Sequence, residues 1–157
     1  MRLLCFAASP SVAWAWEATV VRVVDGDSIE VVRADTREKE IIRLFGIDCP
    51  ELGQAFGRAA MRLTRSVVFG KKVSVVALDV DRYDRTVGAV VCLDDGVTLQ
   101  DELLKAGLAW VDPRYCKGCK PWKAMQREAA REKRGLWGDA EPVAPWKWRK
   151  EKREKAR

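Results

Sequence analysis

The distribution of β-branched residues is the feature that most constrains the fold. Up to residue 93, short apolar segments rich in Val and Ile alternate with polar or glycine-containing clusters, and the segments are 18–24, 28–33, 41–47, 71–80 and 86–93. Segments of this length and composition are typical of β-strands. Asp25-Gly26 lies between the first two and favours a tight hairpin in which glycine supplies a positive φ. The polar residues 34–40 predict a second hairpin connection, so the first three strands are expected to meander.

Helical patterns occupy three other stretches of the chain, 54–68, 99–107 and 121–135. At the second, Thr98 with Asp101 resembles a capping box, and Gly107 is placed to end the helix. Five strands with one helix after the third and two helices after the fifth predict an α+β fold. Its expected core is a five-stranded β-barrel of the oligonucleotide/oligosaccharide-binding (OB) type, with three helices around it.

The N-terminal residues 1–15 have the pattern of a secretory signal peptide. Arg2 precedes an apolar stretch, and Ala13-Trp14-Ala15 suits cleavage before Trp16. The alternative is a buried N-terminal segment. A membrane span is not expected, because Pro10 breaks the run and it is shorter than the ~18 to 20 apolar residues that cross a bilayer. The prediction is therefore a secreted or periplasmic protein.

The rest of the chain is long enough for one domain with a core of its own. A chain of 157 residues fits a single domain, which we expect to be monomeric and to occupy residues 16–140. Residues 141–157 form a charge run, and such runs are usually solvated and disordered. This basic tail is a candidate for assisting nucleic-acid binding through phosphate contacts.

Charge and the lack of histidine narrow the possible functions. Lys and Arg outnumber Asp and Glu by 29 to 23, and the pI is near 9.2. This excess favours an anionic partner, nucleic acid or a membrane surface, although ordinary solubilising charge explains it equally well. The sequence has no histidine, so imidazole acts neither as general base nor as metal ligand. Carboxylates, arginines, thiols or a metal must perform any catalysis.

Carboxylates and arginines near the predicted strand ends suit chemistry on phosphodiesters. Carboxylate oxygens bind hard divalent cations, and guanidinium groups bind phosphate oxygens bidentately. Taken singly, each side chain also has a structural explanation as a turn, a helix cap or a solvent-directed strand residue. The set consists of Asp27, Arg43, Asp48, Glu51 and Arg85.

Four motifs give this set a family context. They are "VVDGDSIEV", "IRLFGIDCPE", "DRYDRTVGAVV" and "LLKAGLAWV" with a following tyrosine. In order and approximate spacing, the chain resembles the staphylococcal nuclease (thermonuclease) family from about residue 18 to 137. The resemblance implies a calcium ion held by the side chains of Asp27 and Asp48 and by the backbone carbonyl of Cys49.

The resemblance also implies roles for the other site residues. Glu51 corresponds to the carboxylate that positions or deprotonates the attacking water, and Arg43 and Arg85 to the pair that binds the scissile phosphate. Tyr83 and Tyr115 correspond to nucleotide contacts. The implied activity is hydrolysis of DNA or RNA to 3'-phosphorylated products. The alternative is a non-catalytic nucleic-acid-binding OB-fold protein, and retention of the three acidic residues favours the enzyme.

The sequence departs from the family pattern at three positions. Asp84 stands where the motif usually has glycine, and Asp tolerates the left-handed turn expected there. Pro113 stands where the type enzyme has a second nucleotide-pocket tyrosine. Cys49 replaces the usual threonine. Because its neighbours Asp48 and Glu51 disfavour a thiolate, we interpret Cys49 as a non-nucleophilic residue.

A Cys-x-x-Cys motif, Cys116 to Cys119, follows Tyr115. A zinc site would need two more ligands, and a thioredoxin-like role would need a βαβ context. A local disulfide beside Tyr115 suits an oxidising compartment, and two free surface thiols are the remaining alternative.

Overall fold

The computed structural model describes residues 14–157. Within them the elements follow in the order β1 (Trp14–Val23), β2 (Ser28–Arg33), β3 (Lys39–Leu44), β4 (Ile47–Asp48), α1 (Gly57–Val68), β5 (Lys72–Val80), β6 (Thr86–Cys92), α2 (Leu99–Lys105), β7 (Trp110–Val111), α3 (Lys120–Arg131) and α4 (Pro145–Lys155). A 3₁₀ turn, Gly135–Gly138, lies between α3 and α4.

Five of the strands close into a barrel in the order β1-β2-β3-β6-β5. Neighbours are antiparallel except for the pair β3 and β6, which is parallel. The short strands β4 and β7 pair separately. The predicted α+β fold with a five-stranded barrel is confirmed. The described residues form four α-helices where the sequence predicted three.

The barrel interior is filled by alternate residues of the strands. Such a period of two puts every second side chain on the inner face, and the fully buried members include Val20, Ile29, Val31, Ile42, Leu44, Val73, Val75 and Val90. Burying one such side chain contributes about 1.5–3 kcal/mol. Gln100 of α2 is also buried, but it accepts the Val90 N–H and donates to the Gly88 carbonyl. Its polar groups are therefore satisfied inside the core.

The connection between β1 and β2 differs from the predicted tight hairpin. Four residues, 24–27, join the strands, and Gly26 does not adopt a positive φ. Glycine is needed there for space, because a Cβ would lie 2.7 Å from the Ala60 Cβ and 2.8 Å from the Cys49 Cβ. This close packing holds the start of β2 against α1 and the segment after β4.

Gly26→Ala is therefore expected to destabilise the fold. Overpacking of a filled interior costs about 1–3 kcal/mol, and denaturant unfolding should show a loss of that size. Gly118→Ala is the matched control, because its added methyl would meet nothing within 4 Å and it should change stability by less than about 0.5 kcal/mol. Equal effects of the two substitutions would contradict the packing argument.

The start of α2 also differs from the prediction. Thr98 precedes the helix as expected but makes no side-chain capping bond. Asp101 instead accepts a hydrogen bond from the Trp122 Nε1 at 2.8 Å, which ties α2 to α3. Gly107 follows the helix with a φ of 68°, as predicted.

The two ends of the chain bear on the predicted signal and tail. The signal prediction falls mostly outside the described residues, but Trp14 and Ala15 belong to β1 and pair with Ala77 and Val76. Cleavage before Trp16 would remove those two pairs from β1.

The expectation that the tail, residues 141–157, is disordered was wrong, because most of it forms α4. Among the described helices, none has the length and apolarity needed to cross a membrane.

Candidate active site

All eight residues that the sequence placed at the site line one cleft with a volume of ≈ 850 Å³. They come from the segment before β2, from β3, from β4 with the residues after it, from the β5–β6 turn and from the segment after β7. The eight are Asp27, Arg43, Asp48, Cys49, Glu51, Tyr83, Arg85 and Tyr115.

Arg43 joins the two predicted metal-ligating carboxylates. Ser28 is the register partner of Arg43, so Asp27 precedes β2 beside it. The Arg43 Nη1 lies 2.9 Å from the Asp27 Oδ2, and its Nη2 lies 2.9 Å from the Asp48 Oδ1. Both carboxylates are almost fully buried. The arrangement is a chain of buried charges in which one guanidinium bridges two carboxylates.

The surroundings of Asp27 favour the protonated form of its carboxyl group. Burial raises the pKa of Asp27 above its ordinary value; Arg43 opposes the shift, and Asp25 and Asp48 add to it. Burial acts to lower the pKa of Arg43, but Asp27 and Asp48 outweigh it, so the pKa is raised and the guanidinium stays charged. Asp27 therefore lies where additional positive charge would stabilise its ionised form.

Cys49 is buried and has the wrong electrostatics for a nucleophile. Its side chain packs beside Gly26, while its backbone N–H donates to the Asp27 Oδ2. Burial, followed by the charge of Asp27, raises the pKa of the Cys49 thiol well above its ordinary value. Cys49 therefore contacts the Asp27 carboxylate through its backbone N–H and not through its sulfur.

Arg85 is held in the β5–β6 turn by a residue that the sequence analysis missed. Asp81 accepts from the Arg85 Nε at 2.8 Å and from the backbone N–H groups of Tyr83 and Arg85. The hydrogen bonds from Arg85 and the turn outweigh burial and lower the pKa of Asp81. Asp84 has the left-handed φ of 61° that the motif requires. The sequence signal for this role is an Asp placed a few residues before a position expected to be left-handed, because Asp side chains commonly accept hydrogen bonds from the backbone of such turns.

The two tyrosines lie on the rim of the cleft. Tyr83 and Tyr115 are each 64% exposed, so their rings are available for stacking with bases. The Arg85 guanidinium carbon lies 5.5 Å from the centre of the Tyr83 ring. Beside Tyr115, Cys116 and Cys119 form a disulfide, the alternative favoured for an oxidising compartment.

Arg149 of α4 binds two of the predicted site carboxylates. The Arg149 Nη2 lies 2.7 Å from the Asp48 Oδ2, and its Nη1 lies 2.6 Å from the Glu51 Oε1. Arg149 is 101 residues from Asp48 and 98 residues from Glu51 in sequence. Arg149 was missed because it stands in a uniformly charged run, where no local pattern distinguishes it from its neighbours.

The donor atoms at Asp27 and Asp48 suit a hard divalent cation. Both side chains offer carboxylate oxygens, which calcium prefers, and Asp27 has a raised pKa that a nearby cation would reverse. Across residues 14–157, no group of three or more His, Cys, Asp or Glu side chains is arranged to hold a metal ion. A cation here would thus combine two side chains with backbone carbonyl and water oxygens.

A closed OB-type barrel whose cleft brings carboxylates and arginines together beside two exposed tyrosines has the groups needed to bind a phosphate-containing ligand. Comparison with known proteins is more specific. The family model described as "Staphylococcal nuclease homologue" matches residues 41–139. The chain belongs to the staphylococcal nuclease family, and the resemblance found in its motifs is confirmed.

Several relatives carry nuclease names, and those from Escherichia coli and Shigella flexneri are covered over most of their length. The chain is 45% identical over 134 residues to an "Uncharacterized endonuclease" of Escherichia coli O157:H7, covering 85% of this chain and 84% of the relative. It is 37% identical over 150 residues to a "Micrococcal nuclease" of Shigella flexneri, covering 88% and 83%. A "Staphylococcal-like nuclease CAN1" of Arabidopsis thaliana is 40% identical over 112 residues, which cover 71% of this chain and 34% of that protein.

Proposed function

We propose that this protein is a calcium-dependent nuclease that hydrolyses phosphodiester bonds of DNA or RNA and leaves 3'-phosphorylated fragments. The observation that supports it most is that Asp27, Asp48, Glu51, Arg43 and Arg85 all line the same cleft. Family membership and the nuclease names of the relatives support the reaction class.

Asp27, Asp48 and the Cys49 carbonyl would hold the calcium ion. When bound, it supplies positive charge that stabilises the phosphate oxygens as negative charge develops on them. Arg43 and Arg85 bind the scissile phosphate through their guanidinium groups. Arg43 is held between Asp27 and Asp48, and Arg85 is held by Asp81, so both are positioned before substrate arrives.

Glu51 would act on the attacking water. Its carboxylate lies half-buried in the same cleft and accepts a proton as the water oxygen attacks phosphorus. The bond to the 5' oxygen breaks, that oxygen takes up a proton, and the phosphate stays on the 3' side. Tyr83 and Tyr115 stack against the bases of DNA or RNA. Because every base has a flat face that can stack, this contact gives no strong sequence preference.

Export fits the same proposal. The N-terminal pattern supports passage to the periplasm or the outside of the cell, and the Cys116–Cys119 disulfide suits an oxidising compartment. Calcium is plentiful there, and extracellular sites commonly bind it at about 10⁻⁴–10⁻³ M.

Cleavage of plasmid DNA by the purified protein tests the proposal. We expect cleavage with millimolar calcium, loss of cleavage with excess chelator, and recovery when calcium is added beyond the chelator. Gel analysis of supercoiled, nicked and linear DNA measures all three. Full cleavage in chelator would contradict calcium dependence, and binding without cleavage under every condition would favour the non-catalytic alternative.

A further inference from the structure

The helix α4 is docked on the domain by specific contacts. The Trp146 ring packs edge-on against Trp110 with centroids 5.8 Å apart. Trp148 lies against Gly53, 3.7 Å from where a Cβ on that residue would be. Gln54 donates to the Val143 carbonyl at 2.7 Å. These contacts hold the helix at the edge of the cleft.

From this position Arg149 forms ion pairs with two carboxylates of the cleft, those of Asp48 and Glu51. Its Nη2 lies 2.7 Å from the Asp48 Oδ2, and its Nη1 lies 3.3 Å from the Asp48 Oδ1 and 2.6 Å from the Glu51 Oε1. The Asp48 Oδ1 also accepts from Arg43 at 2.9 Å. Guanidinium groups therefore bind both oxygens of Asp48. The residue is only 1% exposed, so these groups take the place of water around the carboxylate.

A cation that binds Asp48 needs at least one of these oxygens. Of the two guanidinium groups, that of Arg43 is the more enclosed, with 19% of its side chain exposed against 33% for Arg149. Arg43 comes from a barrel strand, whereas Arg149 comes from the helix that follows the last residue matched by the family model. Arg149 is therefore the partner that can leave without disturbing the barrel.

We propose that Arg149 competes with the divalent cation for Asp48, so that cation binding displaces Arg149 from Asp48 and, with it, from Glu51. This inference rests on the proposed function. The α4 segment then acts as an internal counter-ion that lowers the affinity of the site for its cation. Because the guanidinium and the cation carry like charge, they repel each other when both approach Asp48.

Calcium titration by calorimetry of the full chain tests this proposal without measuring activity. Arg149→Gln is expected to bind calcium about tenfold more tightly than the wild type, a change of ~1.4 kcal/mol. Arg149→Lys, which keeps the charge but loses the bidentate fork, should lie between the two. Circular dichroism establishes that each variant is folded.

Lys150→Ala is the matched control. Lys150 is exposed on the same helix and its loss removes the same charge, so at ~0.15 M ionic strength its effect should stay below about twofold. Unchanged or weaker binding in Arg149→Gln would overturn the proposal, as would equal tightening in Lys150→Ala. In either case calcium binding itself would stand. Absence of calcium binding in the wild type and in all variants would overturn the calcium assignment as well, and Asp48→Ala supplies the baseline for that result.

Discussion

Asp48→Ala is expected to abolish calcium-dependent cleavage, with a loss in rate of about 10³-fold or more. Cys49→Ser should keep the rate within about tenfold of the wild type, which is ~1.4 kcal/mol in activation free energy. Asp48 is the carboxylate on which Arg43 and Arg149 converge, and its removal takes away a cation ligand and the partner of both arginines. The buried Cys49 thiol has a raised pKa and takes no part in either task.

The comparison needs a variant that separates chemistry from folding. Breaking a buried ion pair from one side costs about 3–5 kcal/mol, so Asp48→Ala can lose activity through unfolding. Asp48→Asn keeps the shape and removes only the charge, and it should be equally inactive while circular dichroism and denaturant unfolding show a folded protein. If Cys49→Ser were as inactive as Asp48→Asn with the fold retained, the thiol would be chemical and this account of the site would be wrong.

Arg85→Ala and Glu51→Gln form the second pair with large expected effects. Removal of one group that stabilises charge in the transition state typically lowers kcat by about 10²–10³-fold. Arg85→Ala removes a phosphate ligand at the β5–β6 turn, and Glu51→Gln removes the proton acceptor while preserving its shape. Steady-state kinetics on an oligonucleotide should show that the fall is mainly in kcat, because both groups act on the transition state.

Arg62→Ala is the control for the loss of a positive charge. Arg62 is exposed on α1, so its removal should leave kcat and stability nearly unchanged. If Arg85→Ala changed only KM and by no more than Arg62→Ala, Arg85 would contribute general electrostatic attraction. If Glu51→Gln retained full kcat, the water-activating role of Glu51 would have to pass to another group.

The barrel strands could be predicted from local pattern, and the motif resemblance named eight residues that do line one cleft. The length and β-branched composition of five apolar segments located the five barrel strands, because such residues favour strands that bury side chains in a core. The run from Ile41 to Glu51 delivers Arg43, Asp48 and Glu51 to one place because β3 and β4 are close in sequence and end at the same cleft. The left-handed turn at Asp84 followed from the conformational tolerance of Asp.

What could not be predicted depends on contacts between distant residues. The charged run after residue 144 has few apolar residues, so its own pattern indicates solvation rather than docking. Its position is set by Trp146 on Trp110 and Trp148 on Gly53, and only these contacts bring Arg149 to Asp48. Gly26 is a similar case, because its reason lies in Cys49 and Ala60 and not in the turn itself.

The central claim is that the cleft around Asp48 hydrolyses phosphodiesters with the help of calcium. Mass spectrometry of a single-stranded oligonucleotide incubated with the wild type or with Asp48→Asn, each with calcium or with chelator, tests it most directly. The account predicts fragments ending in 3'-phosphate only for the wild type with calcium. Fragments formed equally by Asp48→Asn, or by the wild type in chelator, would contradict it.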